Sequence, residues 1–430
     1  MRVAARFSMG DSASEGQDRT ERVERISFAE DGMAVELVPL EAIRDAEASV
    51  KARYGDGGVS DVLADGMAGS REEDDLRLAS LQETIAARMR KRGVASVQAE
   101  RIVLTNGLEQ SLEWIVRELT VSGDTVLVER PTGLAGLSVL ARCGAQVVGV
   151  GCDEQGLLVE ELERLLEGVA EGKNESESES ESESESESTA AKKPRLLYAA
   201  PTYGDPTGRL WSVERRQAVV ALCQAHGVII VEDDTCGELK FHADAADPPT
   251  LYELAGEAGG VIYVNSFERV IVPSLRVGWM AGGRSELARF GVRDDDTRSN
   301  VIDQLVLAEL LRHIDLDAHV RRVADVYRER MYAMQRQLRI HQLPVVKWTE
   351  PEGGRSLWLT LPDELDAEAL RRLTRMMGVE ITPGSRLYAD EPQRNAVRLY
   401  FTNCSMDEIE RGVEILAEAI RGFVARWRDD

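Results

Sequence analysis

A few short stretches hold the residues of this 430-residue chain whose types and spacing could do chemistry. In Val261–Met280 an apolar run, Val261-Ile262-Tyr263-Val264, reads as a buried strand. It breaks into Ser266-Phe267-Glu268-Arg269 and closes on Pro273-Ser274-Leu275-Arg276. Arg269 stays charged at any ordinary pH, so it is neither a useful nucleophile nor a proton shuttle. Thr105-Asn106-Gly107-Leu108 reads as a strand end, a glycine turn and a helix start. That geometry presents free backbone N–H groups to an anion. Asp205 sits in Pro201–Gly208, and Asp233 ends the β-branched run Val228–Val231. Arg398 lies in Ala396–Phe401, and a guanidinium is the natural bidentate partner of a carboxylate. Plainer readings stay open: a strand–helix connection at Gly107, a strand-end cap at Asp233, and structural salt bridges at Arg276 and Arg398.

Alternating strands and helices must position these residues. Leu81, Ile85 and Met89 recur at helical spacing, and Gly93 stops that helix. Arg101–Thr105 predicts a strand and Leu108–Leu119 a helix with Leu108, Leu112, Ile115 and Leu119 on one face. Strands follow at Gly123–Glu129, Gly144–Val150, Arg195–Ala199 and Val228–Val231, with helices at Leu157–Leu166 and Ser212–Cys223 between them. Further on, Ile302–Leu311, His319–Gln337 and Met406–Trp427 predict helices, and Ser356–Leu361 a strand. The alternation argues for an α/β protein with a mostly parallel sheet. Residues 1 to about 40 read as polar and irregular, with Met33–Ile43 beginning the folded part. Glu175–Ser188 is a strict Glu-Ser repeat without an apolar residue, expected to be a disordered surface loop.

The net charge of −24 argues against nucleic acid and anionic membranes as partners. No apolar run is long enough for a transmembrane helix, and the first residues lack the apolar core of a secretory signal. Five scattered cysteines, without a C-x-x-C pair, fit free thiols in a reducing, cytoplasmic compartment and no metal site.

The segment from Ser266 to Gly278 resembles the cofactor-lysine segment of class I/II aminotransferases, the fold-type I pyridoxal phosphate (PLP) enzymes, written G-S-F-S-K-x-x-x-P-x-x-R-x-G. Thr105–Gln110 resembles their T-x-G-x-Q turn, Pro201–Gly208 their P-x-x-x-N-P-T-G, and Glu232–Leu239 their E-D-x-x-Y-x-E-L. Gly123–Glu129, Val379–Gly384 and Ala396–Phe401 resemble further family segments, so the likeness runs from about Leu78 to Phe401.

The resemblance implies a large α/β domain with a mostly parallel seven-stranded sheet flanked by helices, and a smaller α+β C-terminal domain. It divides the chain into an N-terminal, partly disordered arm (1–77), a large domain (78–318, with an insertion at 172–192), and a connector helix with the small domain (319–430). It also implies PLP as cofactor, an amino-acid or keto-acid ligand, and a homodimer. By resemblance Gly107, Leu108, Glu109, Ser266 and Arg276 bind the cofactor phosphate, Asp233 the ring nitrogen, and Asp205 and Cys236 the phenolic-oxygen side; Arg398 clamps the substrate carboxylate. Arg269 stands at the position of the Schiff-base lysine, Asp205 at that of an asparagine, Cys236 at that of a tyrosine, and Gly133 at that of the ring-stacking tyrosine. These departures predict PLP held non-covalently if at all, and an Asp205–Arg269 ion pair across the site. Three functions follow: a degenerate enzyme of non-standard chemistry, a pseudoenzyme serving as partner or regulatory subunit, and a conventional PLP-dependent aminotransferase.

Overall fold

The computed structural model describes residues 25–54, 71–168, 193–242, 246–290, 301–343 and 346–429. The Glu-Ser repeat and the 172–192 insertion around it lie outside the described residues. The chain opens with β1 (Ile26–Ser27) and α1 (Leu40–Tyr54), then α2 (Arg71–Lys91), β2 (Ile102–Thr105) and α3 (Leu108–Leu119). There follow β3 (Thr125–Arg130), α4 (Leu134–Arg142), β4 (Gln146–Asp153), β5 (Gly156–Leu157), α5 (Val159–Glu167) and β6 (Leu196–Ala199). A small hairpin, β7 (Thr202–Gly204) and β8 (Arg209–Leu210), leads to α6 (Val213–His226), β9 (Ile229–Asp233), β10 (Val261–Ser266) and β11 (Gly278–Ala281). The last part holds α7 (Val301–His313), α8 (Leu316–Ile340), β12 (Lys347–Trp348), β13 (Ser356–Thr360) and α9 (Ala367–Met376). It closes with β14 (Val379–Glu380), β15 (Thr382–Pro383), β16 (Ala396–Tyr400) and α10 (Met406–Asp429).

The large sheet runs β2-β11-β10-β9-β6-β3-β4-β5. Strands β10, β9, β6, β3 and β4 pair in parallel, as expected of apolar runs buried on both faces. β11 lies antiparallel between β2 and β10, and two-residue β5 pairs antiparallel with β4 at the other edge. The expected seven strands are therefore eight, the extra one being this short edge pair, too brief to show periodicity. On α3 Leu108, Leu112 and Ile115 of the predicted face are buried and Leu119 is partly buried; Val116, outside that face, joins them against Val126, Val128, Ile262 and Val264 of the sheet. The smaller sheet, β12-β13-β16-β15, is wholly antiparallel.

Folding begins earlier than the sequence suggests. Ile26 and Phe28 are buried, and β1 pairs in parallel with β14 from far along the chain. The Phe28 amide donates to the Glu380 carbonyl, and the Tyr400 amide donates to the Phe28 carbonyl. A polar segment with two buried residues has no local periodicity; its strand exists only because β14 supplies the partner groups.

Candidate functional site

In an open α/β sheet, ligands gather beyond the carboxyl ends of the parallel strands. Here that edge carries Thr105 at the end of β2, Asp233 at the end of β9 and Ser266 at the end of β10. The pairing register sets Ser266 opposite Gly278 and Gly278 opposite Thr105, so the turn after β2 lies beside the segment after β10. A cavity of about 420 Å³ opens there. Gly133, Asp205, Asp233, Cys236, Arg269, Arg398, Leu108 and Glu109 line it, as do Asp31, Tyr198, Arg355 and Tyr400, which the sequence reading missed.

The predicted Asp205–Arg269 pair does not form. Asp205 Oδ2 instead accepts from Arg398 Nη1 at 2.8 Å, and Asp205 Oδ1 accepts from Ser356 Oγ at 3.3 Å. Arg398 also lies over the Tyr400 ring, 4.2 Å from its centroid. The reason is reach: β16 delivers Arg398, only 5% exposed, onto the loop that carries Asp205. Arg269 pairs with Asp31 at 2.6 Å, and Arg355 is also ion-paired with Asp31. Burial alone would lower the Arg269 pKa, but neighbouring Cys236, Tyr400, Glu268 and Asp205 hold it above the ordinary guanidinium value. The side chain is a fixed cation. Asp31 was not legible because its segment reads as an irregular arm; Arg355 follows Gly353-Gly354 without any spacing signal.

Asp233 is held by three donors: Tyr198 Oη at 2.6 Å, Thr235 Oγ1 at 2.7 Å and the Thr235 amide at 2.9 Å. Burial raises its carboxyl above the usual range while these bonds oppose the shift. Burial likewise pushes the Cys236 thiol up to about 12, so it stands in the cavity as a neutral group. Gly133 leaves open the space beside Asp205, where a Cβ would meet Oδ2 at 3.5 Å.

The Thr105–Leu108 turn and the Ser266–Arg276 segment do come together, with Glu268 between them. Gly107 has φ +86°, and a Cβ there would lie 2.4 Å from Glu268 Oε1. A Cβ on Gly278 would lie 2.8 Å from Gly107 Cα, so this close packing of turn on strand requires glycine at both positions. Ser266 Oγ donates to Glu268 Oε2 at 3.3 Å, and Arg276 Nε lies 3.2 Å from Oε1. Glu109, read as a cofactor-turn residue, is half-exposed and lies 3.9 Å from Arg142. Its neighbour Gln110 takes the polar role, accepting from the Asn106 amide at 2.7 Å. Glu268 was visible in the sequence, in a place where the resembling pattern has serine.

Among the described residues no lysine lines the cavity. Lys91 and Lys240 line a different hollow and pair with Asp317 and Asp247. Also among the described residues, no group of three or more His, Cys, Asp or Glu could hold a metal, and no helix is long and apolar enough to cross a membrane. PLP held covalently needs an amine where Arg269 stands, and among the described lining residues there is none; these residues do not fit the group as a covalent adduct.

The fold and the placement of this site can be compared with known proteins. The chain is 29% identical to aromatic-amino-acid aminotransferase 1 of Thermococcus litoralis, over 79% of this chain and 77% of that protein. It is 28% identical to 2-aminoadipate transaminase of Thermus thermophilus, over 94% and 92%. It is also 26% identical to an uncharacterized HTH-type transcriptional regulator of Bacillus subtilis, over 80% and 66%. Among solved structures, kynurenine aminotransferase of Pyrococcus horikoshii superposes with a TM-score of 0.76 at 29% identity, over 93% of this chain and 91% of that one. The family model for aminotransferase class I and II matches residues 69–416; with the sheet order and cavity described above, this chain belongs to the class I and II aminotransferase family.

Proposed function

We propose that this protein binds an amino acid or 2-oxo acid through its carboxylate in the cleft, and does not transaminate through a lysine. The observation that carries the reading is the Arg269 guanidinium in the cavity wall, with no lysine amine among the described lining residues. Transamination needs an amine that can lose its proton, attack a carbonyl and move a proton between carbons. Arginine holds its proton throughout the accessible pH range. Loss of that group removes the covalent step and a factor of ~10²–10⁴ from proton transfer. What this chain's residues can do is bind and orient. Arg355 and Arg398 offer guanidinium faces near Tyr400, and Asp233 is fixed by Tyr198 and Thr235. A binding role outside turnover accords with a relative named as a transcriptional regulator. A homodimer and a reducing, cytoplasmic setting belong to the same proposal, supported by the family and by the free cysteines.

A second reading, a conventional aminotransferase, is favoured by the relatives: two that match most of the chain are named as aminotransferases. Purified protein mixed with PLP separates the two. The proposal expects no stable band near ~420 nm, no adduct fixed by borohydride on intact mass, and saturable binding of 2-oxoglutarate by calorimetry. A fixed adduct on any lysine, or amino transfer from an aromatic amino acid, establishes the conventional reading instead.

A further inference from the structure

The turn after β2 and the segment after β10 form a small cup for an anion, and the protein fills it with its own side chain. Leu108 opens the twelve-residue α3, whose first amides lack partners inside the helix. Gly107, at φ +86°, brings that end close to whatever lies above it. Ser266 supplies a hydroxyl and Arg276 a guanidinium on the other side. Such a set suits a tetrahedral, doubly charged oxyanion. Its occupant is the Glu268 carboxylate, on a residue only 9% exposed. Oε2 accepts from Ser266 Oγ and Oε1 lies against Arg276 Nε; burial raises the carboxyl above the usual range, while Arg276, Arg269, the Leu108 amide and the Ser266 hydroxyl oppose that shift and favour the ionised form. Oε1 is buried without a well-formed hydrogen bond, so the cup holds this oxygen through the Arg276 charge rather than through a full set of donors.

We propose that Glu268 is a built-in anion that plugs this cup and makes the cleft reject phosphate monoesters in favour of unphosphorylated carboxylates. The proposal rests on the binding role above, and it explains a feature that role alone does not. A ligand phosphate would meet both a like charge and occupied space: a methyl group on Gly107 would already overlap Glu268 Oε1 at 2.4 Å. Arg269, the residue next to Glu268, turns to Asp31, so the plug keeps Arg276 as its paired cation on the cup side. An ordinary salt bridge at Glu268 would make the same contacts, but removing it would not create a new specificity.

Calorimetric titrations of the full chain with inorganic phosphate, PLP and pyridoxal read the cup directly. Wild type is expected to show no saturation with phosphate into the millimolar range and to bind PLP no more tightly than pyridoxal. Glu268→Ser is expected to prefer PLP over pyridoxal by at least about tenfold, and adding Arg276→Ala removes that preference. Glu268→Gln keeps the shape, discards the charge and gains a smaller preference; it serves if Glu268→Ser unfolds early. Saturable phosphate binding by wild type overturns the proposal, as does a folded Glu268 variant that treats PLP and pyridoxal alike. If neither variant folds, the wild-type ratio decides: near one supports the plug, and tenfold or more refutes it. Titration of wild type with 2-oxoglutarate tests the carboxylate-binding role separately, because it does not depend on phosphate.

Discussion

Arg398 and Asp205 show how far one contact governs what the cleft can bind. The guanidinium that the resemblance assigns to a ligand carboxylate already holds an internal one, at 2.8 Å. A ligand must displace Asp205 or accept what remains of Arg398 beside Tyr400 and Thr382. Asp205→Asn removes the competing charge with little change of shape. Calorimetry should find 2-oxoglutarate bound about tenfold more tightly by this variant. The same variant leaves a nearly buried guanidinium without its partner, so it should melt earlier, with a loss of roughly 3 kcal/mol. Unchanged affinity would mean that Arg398 does not face the ligand.

At the scale of elements, the N-terminal segment is a working part of the fold. β1 pairs with β14, Asp31 reaches the cavity, and α1 packs along α7. Glu309 of α7 ties the two helices. It is ion-paired with Arg53 of α1, accepts from Ser49 Oγ at 3.2 Å, and lies 3.0 Å from His313 Nε2. The hydrogen bond from Arg53 is the main cause that pulls its carboxyl down to about 2, against some desolvation, with His313 and Ser49 assisting. An unfolded glutamate titrates near ~4.3. Because the folded value is depressed, the contribution is complete above the unfolded value and disappears as pH falls toward about 2. Urea melts should find Glu309→Gln less stable than wild type by roughly 2 kcal/mol near neutrality. That difference should close between about pH 4.5 and pH 2; a gap that persists at acid pH would assign the loss to packing.

For the whole molecule, burial of the thiols gives a simple test of compactness. Cys223, Cys236 and Cys404 are buried, and desolvation pushes each thiol up to about 12. Only Cys143 and Cys152 are half-buried. Reaction with a disulfide reagent in native buffer should leave those three thiols intact, and guanidinium should release all five. Fast native labelling of Cys236 would show the cleft open to reagent-sized molecules.

The sequence alone determined the order of elements and most of their limits. Leu108–Leu119 is the predicted helix, and Val228–Val231 marks the core of β9, because apolar periodicity and glycine stops act locally. It also determined that a guanidinium stands in the Arg269 position, since identity needs no geometry. Tertiary structure decided which charges meet. Asp31, Asp205, Arg269, Arg355 and Arg398 come from five separate stretches, and the choice of Asp31 for Arg269 and of Arg398 for Asp205 follows from where β1 and β16 are held. Ion pairing depends on distance and burial, and neither is encoded within a short window of sequence.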